Sequence, residues 1–382
     1  MKKLFRYPLL LLFAGFIIIV GILDLFASHR DFSEMENKKL AQKPPLTWAS
    51  LISLEQNNKF SNLYEEYIND QFVGRDQWIT MKSICESALG KLENNGVVYG
   101  KEDHLFDKYL TLDTWRMDKN IGYLSQFIEK YRDQSKITVM LVPNSYAVYE
   151  DLLPRGLHNV DQQEAIEKIY SQLPEGAEKL DLFPVMEAVR DRYIYYRTDH
   201  HWTTEGAYWV YNAYAESKGK KAVSQEILEP FKILVDHFYG TYYNKCKLFS
   251  AKADEITYYD IPVKSVVIDG QEKNGLYDKE KWEAHDKYAG FLWSNNGVTV
   301  IKSDNNLNAQ PGHTSRVLVL KDSYGNCFSP FLTYQYDEVY VVDPRYIAKL
   351  SELTEKVSFD DILVLYNFMS FASDIYIPRI TY

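Results

Sequence analysis

Apolar positions fall into three regimes along the chain, and each predicts a different element. Residues 8–27, PLLLLFAGFIIIVGILDLFA, form a nearly unbroken apolar run, long enough to cross bilayer hydrocarbon as one helix. Residues 28–56 are polar and carry Pro44-Pro45, the composition of an extended spacer. Over 57–93 the spacing turns helical, with Phe60, Leu63, Tyr64 and Tyr67 on one face and a break at Val73-Gly74-Arg75-Asp76. From about residue 96, strand-length apolar runs alternate with helical patterns. The runs are ITVMLV (137–142), RYIYY (192–196), RVLVL (316–320), EVYVV (338–342) and ILVLY (362–366). Each is almost continuous in apolar, aromatic or β-branched residues, as strands buried on both faces tend to be.

Between them, residues 204–218 put Ala207, Val210, Tyr211 and Tyr214 on one helical face, with Gly219 where a C-terminal cap belongs. The alternation predicts a doubly wound, mostly parallel α/β domain. Residues 225–310 break the rhythm: they are rich in Tyr, Lys, Asp and Asn, with short β-like pieces such as KSVVID. They read as a large insertion beside the active edge. The expected organisation is an anchor at 1–27, a spacer and helical lead-in at 28–95, and a catalytic domain at 96–382 with its insertion at about 225–310.

Composition changes this picture at few points. Of the 382 residues 46% are hydrophobic, enough to bury a full core. A net charge of -10 argues against a nucleic-acid partner, which would call for concentrated positive charge. Three cysteines, Cys85, Cys246 and Cys327, show no paired spacing, so neither a disulfide framework nor a thiolate zinc site is implied. Lys2, Lys3 and Arg6 precede the first apolar run, giving it an inside-positive flank. The run is long for a signal peptide, and LFASHR offers no small-x-small cleavage site. An uncleaved anchor is therefore expected, with the remainder outside the cytoplasmic membrane, or a secreted protein if the segment is removed. Asp24, at its outer end, suits an interface.

In open α/β sheets ligands bind beyond the carboxyl ends of strands, which directs attention to the polar residues that follow the apolar runs. After 192–196 comes RTDHHW. In an extended segment Asp199 and His201 share a side, while His200 and Trp202 point the other way. An aspartate beside a histidine selects its tautomer and supports the imidazolium, as a general base requires; a structural pre-helix turn is the competing reading. Thr203 or Thr204 is placed to cap the next helix. After 316–320, Lys321-Asp322-Ser323-Tyr324-Gly325 puts Ser323 on a strand–turn–helix corner, with backbone N–H groups such as that of Gly325 nearby for an oxyanion. Serine there also serves commonly as a plain helix cap. Ser145, after 137–142, is a rival nucleophile, but Pro143 favours an extended turn. Asn367 ends the last strand, either as an oxyanion donor or as a turn former. Adjacent residues rarely converge on one ion, so no metal is expected at Asp199, His200 and His201.

The tetrad Asp199-His200-His201-Trp202 resembles the signature of the DHHW family of bacterial surface proteins, which is similar to the alginate O-acetylation proteins of the SGNH-hydrolase-like superfamily. The resemblance extends over most of the chain after the apolar run, through 33–48, YINDQFVGRDQWITMKS (67–83), VVYGKEDHLF (97–106), VPNSYAVYEDLLP (142–154) and KDSYGN (321–326). It implies an SGNH-like fold with the Asp-x-His motif preceding the serine, a permuted order. Carried across residue by residue, Asp199 orients, His201 is the base and Ser323 is the nucleophile. Lys321 stands where the superfamily usually has the glycine of Gly-Asp-Ser, and Asn367 matches the superfamily's oxyanion asparagine by position only.

The function these readings imply is extracytoplasmic O-acyl transfer, most simply of acetyl, to a cell-surface polysaccharide, with no cofactor. Acyl-coenzyme A is cytoplasmic, so the resemblance implies a membrane-bound O-acyltransferase partner to export the acyl group. A carbohydrate esterase and a non-catalytic scaffold for polysaccharide export or wall assembly are the alternatives.

Overall fold

The computed structural model describes residues 7–33, 38–53, 55 and 59–382; Lys2, Lys3 and Arg6 of the expected basic flank lie outside the described residues. Two compact units separate, Met1–Lys91 with Lys247–Ser250, and Leu92–Cys246 with Ala251–Tyr382.

The first unit begins with helix α1, Pro8–Phe26, which buries none of its residues and is long and apolar enough to cross a membrane. After a short helix at Trp48–Ile52 come α2 (Phe60–Gln71) and α3 (Arg75–Ala88). They break where expected, at Gly74, whose φ of 67° is left-handed and therefore suits a residue without Cβ. Within the same unit Asp24 accepts the Val73 backbone N–H at 2.9 Å.

The second unit is built on an eight-stranded sheet. Its strands are β1 (Lys136–Val142), β2 (Ala177–Lys179), β3 (Ser265–Ile268), β4 (Gln271–Lys273), β5 (Val298–Lys302), β6 (Arg316–Lys321), β7 (Glu338–Val342) and β8 (Asp361–Asn367). Their spatial order is β4-β3-β5-β7-β6-β8-β1-β2. The last five in that order are mutually parallel; the other three join antiparallel at one edge. The fold is thus mixed α/β around a parallel-rich sheet, and all three antiparallel strands come from the segment that interrupted the rhythm.

Alternation along the central strands divides the core in two. Val317, Val319, Leu363 and Leu365 pack with the helix at Thr204–Ser217, with Trp202 and with Phe328. Leu318, Leu320, Ile362 and Val364 pack against α4 (Thr114–Tyr131) and α5 (Gln162–Gln172). Helix α6 is the Thr204–Ser217 helix: the Thr203 side chain caps it by accepting the Gly206 N–H, and Gly219 follows with φ +61°.

RYIYY is not a strand. Tyr195 makes one isolated bridge to Trp202, and the chain folds back on itself, Thr203 N–H donating to the Ile194 carbonyl at 2.9 Å and Tyr196 N–H to that of His201 at 3.3 Å. Ile194, Tyr195 and Tyr196 are fully buried, so the run is apolar because it enters the core, and its backbone is satisfied locally instead of by a ladder. Several strands gave no strong pattern, among them β2, β5 and a separate antiparallel pair, Lys232–Phe238 with Asp254–Tyr259.

Candidate active site

Strands β6, β8 and β1 lie side by side in parallel, with Lys321 opposite Leu365 and Asn367 opposite Val142, so their carboxyl ends share one edge. Ser323 lies two residues past β6, on a turn fastened by Asp322. That buried carboxylate accepts the Tyr324 N–H at 2.9 Å with one oxygen and the Asn367 N–H at 3.0 Å with the other, bridging the ends of β6 and β8. Burial pushes the Asp322 carboxyl above its ordinary value, against these hydrogen bonds. The turn runs into the short helix at Gly325–Phe328, and Ser323 itself stays partly open to solvent.

The histidine loop reaches this turn from the start of α6. Asp199 is 2% exposed. Its Oδ1 accepts both the backbone N–H of His201 at 2.9 Å and the ring Nδ1–H at 2.5 Å. Its Oδ2 accepts the Thr241 N–H at 2.7 Å. Burial works against ionisation, but His200, His201 and the Thr241 N–H together hold the carboxyl well below its ordinary range. With Nδ1 donating to Asp199, Nε2 is the free acceptor, and Ser323 Oγ–H donates to it at 2.8 Å. Asp199, His201 and Ser323 therefore form one continuous hydrogen-bonded relay.

The rest of the tetrad departs from the extended geometry expected of it. His200 does not point away: residues 198–201 bend, and its ring centroid lies 3.7 Å from that of His201. Its Nδ1 faces the Thr241 hydroxyl at 2.7 Å. Burial first, then the neighbouring His201, lower its pKa to about 4. Trp202 is fully buried, stacks near Phe328 and donates its indole N–H to the Tyr324 carbonyl at 3.0 Å. The Tyr324 hydroxyl in turn donates to the His200 carbonyl.

The model of the DHHW protein family matches residues 82–342 of the chain. The chain belongs to the DHHW family. Among solved structures, a DHHW family protein from Eubacterium siraeum is 24% identical with a TM-score of 0.64, the match covering 75% of this chain and 95% of that one. Bacillus cereus PatB1 with a sulfonyl adduct is 18% identical at a TM-score of 0.58, covering 73% and 96%. A second PatB1 structure is 21% identical at 0.57, covering 72% and 97%. No curated protein matches the chain in sequence. At these identities the structural likeness shows a shared fold.

In this DHHW chain the two expected oxyanion donors are engaged elsewhere. Gly325 N–H donates to the Asp322 carbonyl at 3.1 Å. What the position requires is the absence of a side chain, since a Cβ there would sit 2.6 Å from Lys321 Cβ. Asn367 caps the following helix, its Oδ1 accepting from Met369 and Ser370 N–H at 3.1 and 3.3 Å, while Nδ2 donates to the Val142 carbonyl at 3.3 Å. Its turn-forming role is therefore the one the contacts describe. By contrast, the N–H of Ser323 has no partner among the described residues. The rival Ser145 is 2% exposed, with a buried hydroxyl that lacks a hydrogen-bond partner, a histidine included.

Ligand atoms of Asp199, His200 and His201 lie within 4.8 Å of one another, a set that permits an ion by type. All of them except His200 Nε2 already have hydrogen-bond partners, so a metal would have to displace the relay itself.

Several further residues support the relay. Gly240 lies against Asp199, where a Cβ would come within 2.1 Å of Asp199 Cβ. Asp254 is buried and accepts the Thr198 N–H and hydroxyl at 2.8 and 2.6 Å, the Arg197 N–H at 3.0 Å and the Tyr193 hydroxyl. Lys321 is buried, its Nζ donating to Asp343 at 3.3 Å and Asn295 at 3.1 Å, and burial pushes its pKa down against the pull of Asp343. Glycine followed by threonine at 240–241 opens the helix Thr241–Cys246, a helix-start pattern that was available to be read. Nothing in spacing pointed to Asp254.

Proposed function

We propose that this DHHW protein is a serine-dependent O-acyltransferase, acting outside the cytoplasmic membrane and most simply moving acetyl onto a cell-surface polysaccharide. One observation carries the reading: Asp199 to His201 at 2.5 Å and His201 to Ser323 at 2.8 Å complete a nucleophile, base and orienting carboxylate.

In the first half-reaction His201 Nε2 takes the Ser323 Oγ proton as Oγ attacks the acyl carbonyl. The unpartnered Ser323 N–H is available as a donor for the resulting oxyanion. Collapse expels the donor's alkoxide, which leaves with the proton from His201, and the acyl group stays as an ester on Ser323. In the second, a sugar hydroxyl gives its proton to His201 and attacks that ester; collapse breaks the acyl–Oγ bond and His201 returns the proton to Ser323 Oγ. The ionised Asp199 supports the imidazolium in both.

The substrate class rests on the family resemblance. That PatB1 has been solved with a sulfonyl adduct supports a reactive nucleophile in this fold. Helix α1 would serve as the anchor, and a membrane-bound acyltransferase would deliver the acyl group, since cytoplasmic acyl donors do not reach the site.

The test uses the full-length chain in detergent. It should release p-nitrophenol from p-nitrophenyl acetate, and Ser323→Ala should lower turnover by at least about 10³-fold; equal rates would remove the triad reading. Water in place of a sugar resolves the same acyl-enzyme, giving an esterase. Acetylated oligosaccharide formed in excess of free acetate separates transfer from hydrolysis. A scaffold without chemistry would leave Ser323 unlabelled by a sulfonyl fluoride.

A further inference from the structure

The segment 225–310 sends one aromatic side chain into the relay. Tyr288 stands on the single turn Lys287–Gly290 and is 5% exposed. Its ring lies flat on the His201 imidazole, centroids 3.6 Å apart and planes 8° from parallel. Its hydroxyl donates to the Ser323 carbonyl at 3.2 Å and lies 3.4 Å from Cys327 Sγ. One side chain thus touches both the base and the backbone of the nucleophile.

The turn that presents it is itself held. Trp282 packs against Gly290, where a Cβ would come within 2.4 Å of the indole. The Lys287 ammonium donates to the Trp282 carbonyl, and Asp278 N–H donates to that of Gly290 at 2.9 Å. Burial keeps the Tyr288 phenol protonated by raising its pKa well above the ordinary value, so the hydroxyl remains a donor.

A histidine tethered only through Nδ1 can still swing about the line joining Nδ1 to its carboxylate, which moves Nε2 off the serine. A flat aromatic neighbour at van der Waals distance blocks that swing, and its π face also favours the imidazolium formed in each half-reaction. We infer that Tyr288 is a positioning residue: its ring, stacked on His201, holds the base in register with the nucleophile. This rests on the acyl-transfer reading for its consequence on rate, while the positioning itself does not.

The experiment compares wild type, Tyr288→Phe, Tyr288→Leu and Tyr288→Met as full-length protein in detergent. Tyr288→Phe keeps the stack and should stay within about threefold of wild-type kcat. Tyr288→Leu and Tyr288→Met lose it and should lower kcat by up to about 100-fold with KM within about twofold, as expected when a reacting group is misplaced by an ångström. A second readout is independent of turnover. With ring-nitrogen-labelled histidine, the far-downfield His201 Nδ1–H resonance should be present in wild type, Tyr288→Phe and Ser323→Ala, and exchange-broadened in the Leu and Met variants. A resonance unchanged in both aliphatic variants overturns the proposal, as does a Phe variant as impaired as they are. If Ser323→Ala hydrolyses the ester as fast as wild type, the acyl-transfer reading fails by itself. The Nδ1–H comparison then still decides the position of His201.

Discussion

The indole of Trp202 donates to the backbone carbonyl of Tyr324 at 3.0 Å, and that bond fastens the histidine loop to the turn bearing the nucleophile. The fourth residue of the tetrad thus carries no chemistry of its own; it fixes the separation of the two halves of the relay. Trp202→Phe should keep most of the buried area and lose the bond, costing roughly 1 kcal/mol, since the Tyr324 carbonyl keeps a weak donor in the Cys327 thiol at 3.6 Å. Turnover of p-nitrophenyl acetate should fall by about tenfold, because a small shift of the base is costly. A variant with unchanged rate and melting temperature would show that packing alone aligns the loops.

Asp199 accepts hydrogen bonds on both oxygens, from His201 and from Thr241. Asp199→Asn keeps the shape but offers an amide that favours the wrong imidazole tautomer. Turnover should drop by about 10⁴-fold while the melting temperature changes little. Single-turnover acylation of the variant measures the first step directly, and normal acylation would remove Asp199 from its role.

His200 and His201 should separate cleanly. His201→Ala removes the base, and its activity should match that of Ser323→Ala. His200→Gln should retain most of the turnover, since the bond to the Thr241 hydroxyl can be replaced by an amide. A larger loss in His200→Gln would exchange the two assignments.

The same residue predicts a pH dependence of stability. Folded His200 titrates at about 4 against an ordinary 6.5, so between those values the unfolded chain binds more protons. Stability therefore rises with pH across that window; the contribution of neutral His200 is complete above 6.5 and is lost as pH falls towards 4. With 32% of the side chain in contact with solvent, the slope should be modest. Denaturant melts from pH 4 to 7 should be flatter in His200→Gln than in wild type. Equal slopes would mean that His200 titrates normally.

Gly240 has no room for a methyl group, because its Cβ would lie 2.3 Å from Asp199 Oδ2. Gly240→Ala should displace the carboxylate, lowering turnover by about 100-fold or more with a lower melting temperature. Wild-type activity in this variant would require the loop to shift freely, contrary to its burial.

Much of the parallel core was legible along the chain. Runs 137–142, 316–320, 338–342 and 362–366 reappear as β1, β6, β7 and β8, because a strand covered on both faces must be apolar throughout. RYIYY failed for the same reason: burial makes a run apolar whether or not it joins a ladder, and periodicity cannot separate the two. Within the site, Asp199, His201 and Ser323 were readable from their places after apolar runs. His200 was misplaced because its orientation was argued from extended backbone, whereas the loop bends at that point.

Local chemistry along the chain determined the apolar first helix, the parallel strands, the cap at Thr203 and the three residue types of the relay, since each depends on neighbours a few positions away. Tertiary structure alone decided that Ser323 lies 2.8 Å from His201, that Gly240 and Thr241 cradle Asp199, and that Tyr288 lies flat on the base. Those contacts span tens to more than a hundred residues. They leave no periodic trace, because a single close approach asks for one residue of the right size or donor, and one residue makes no pattern.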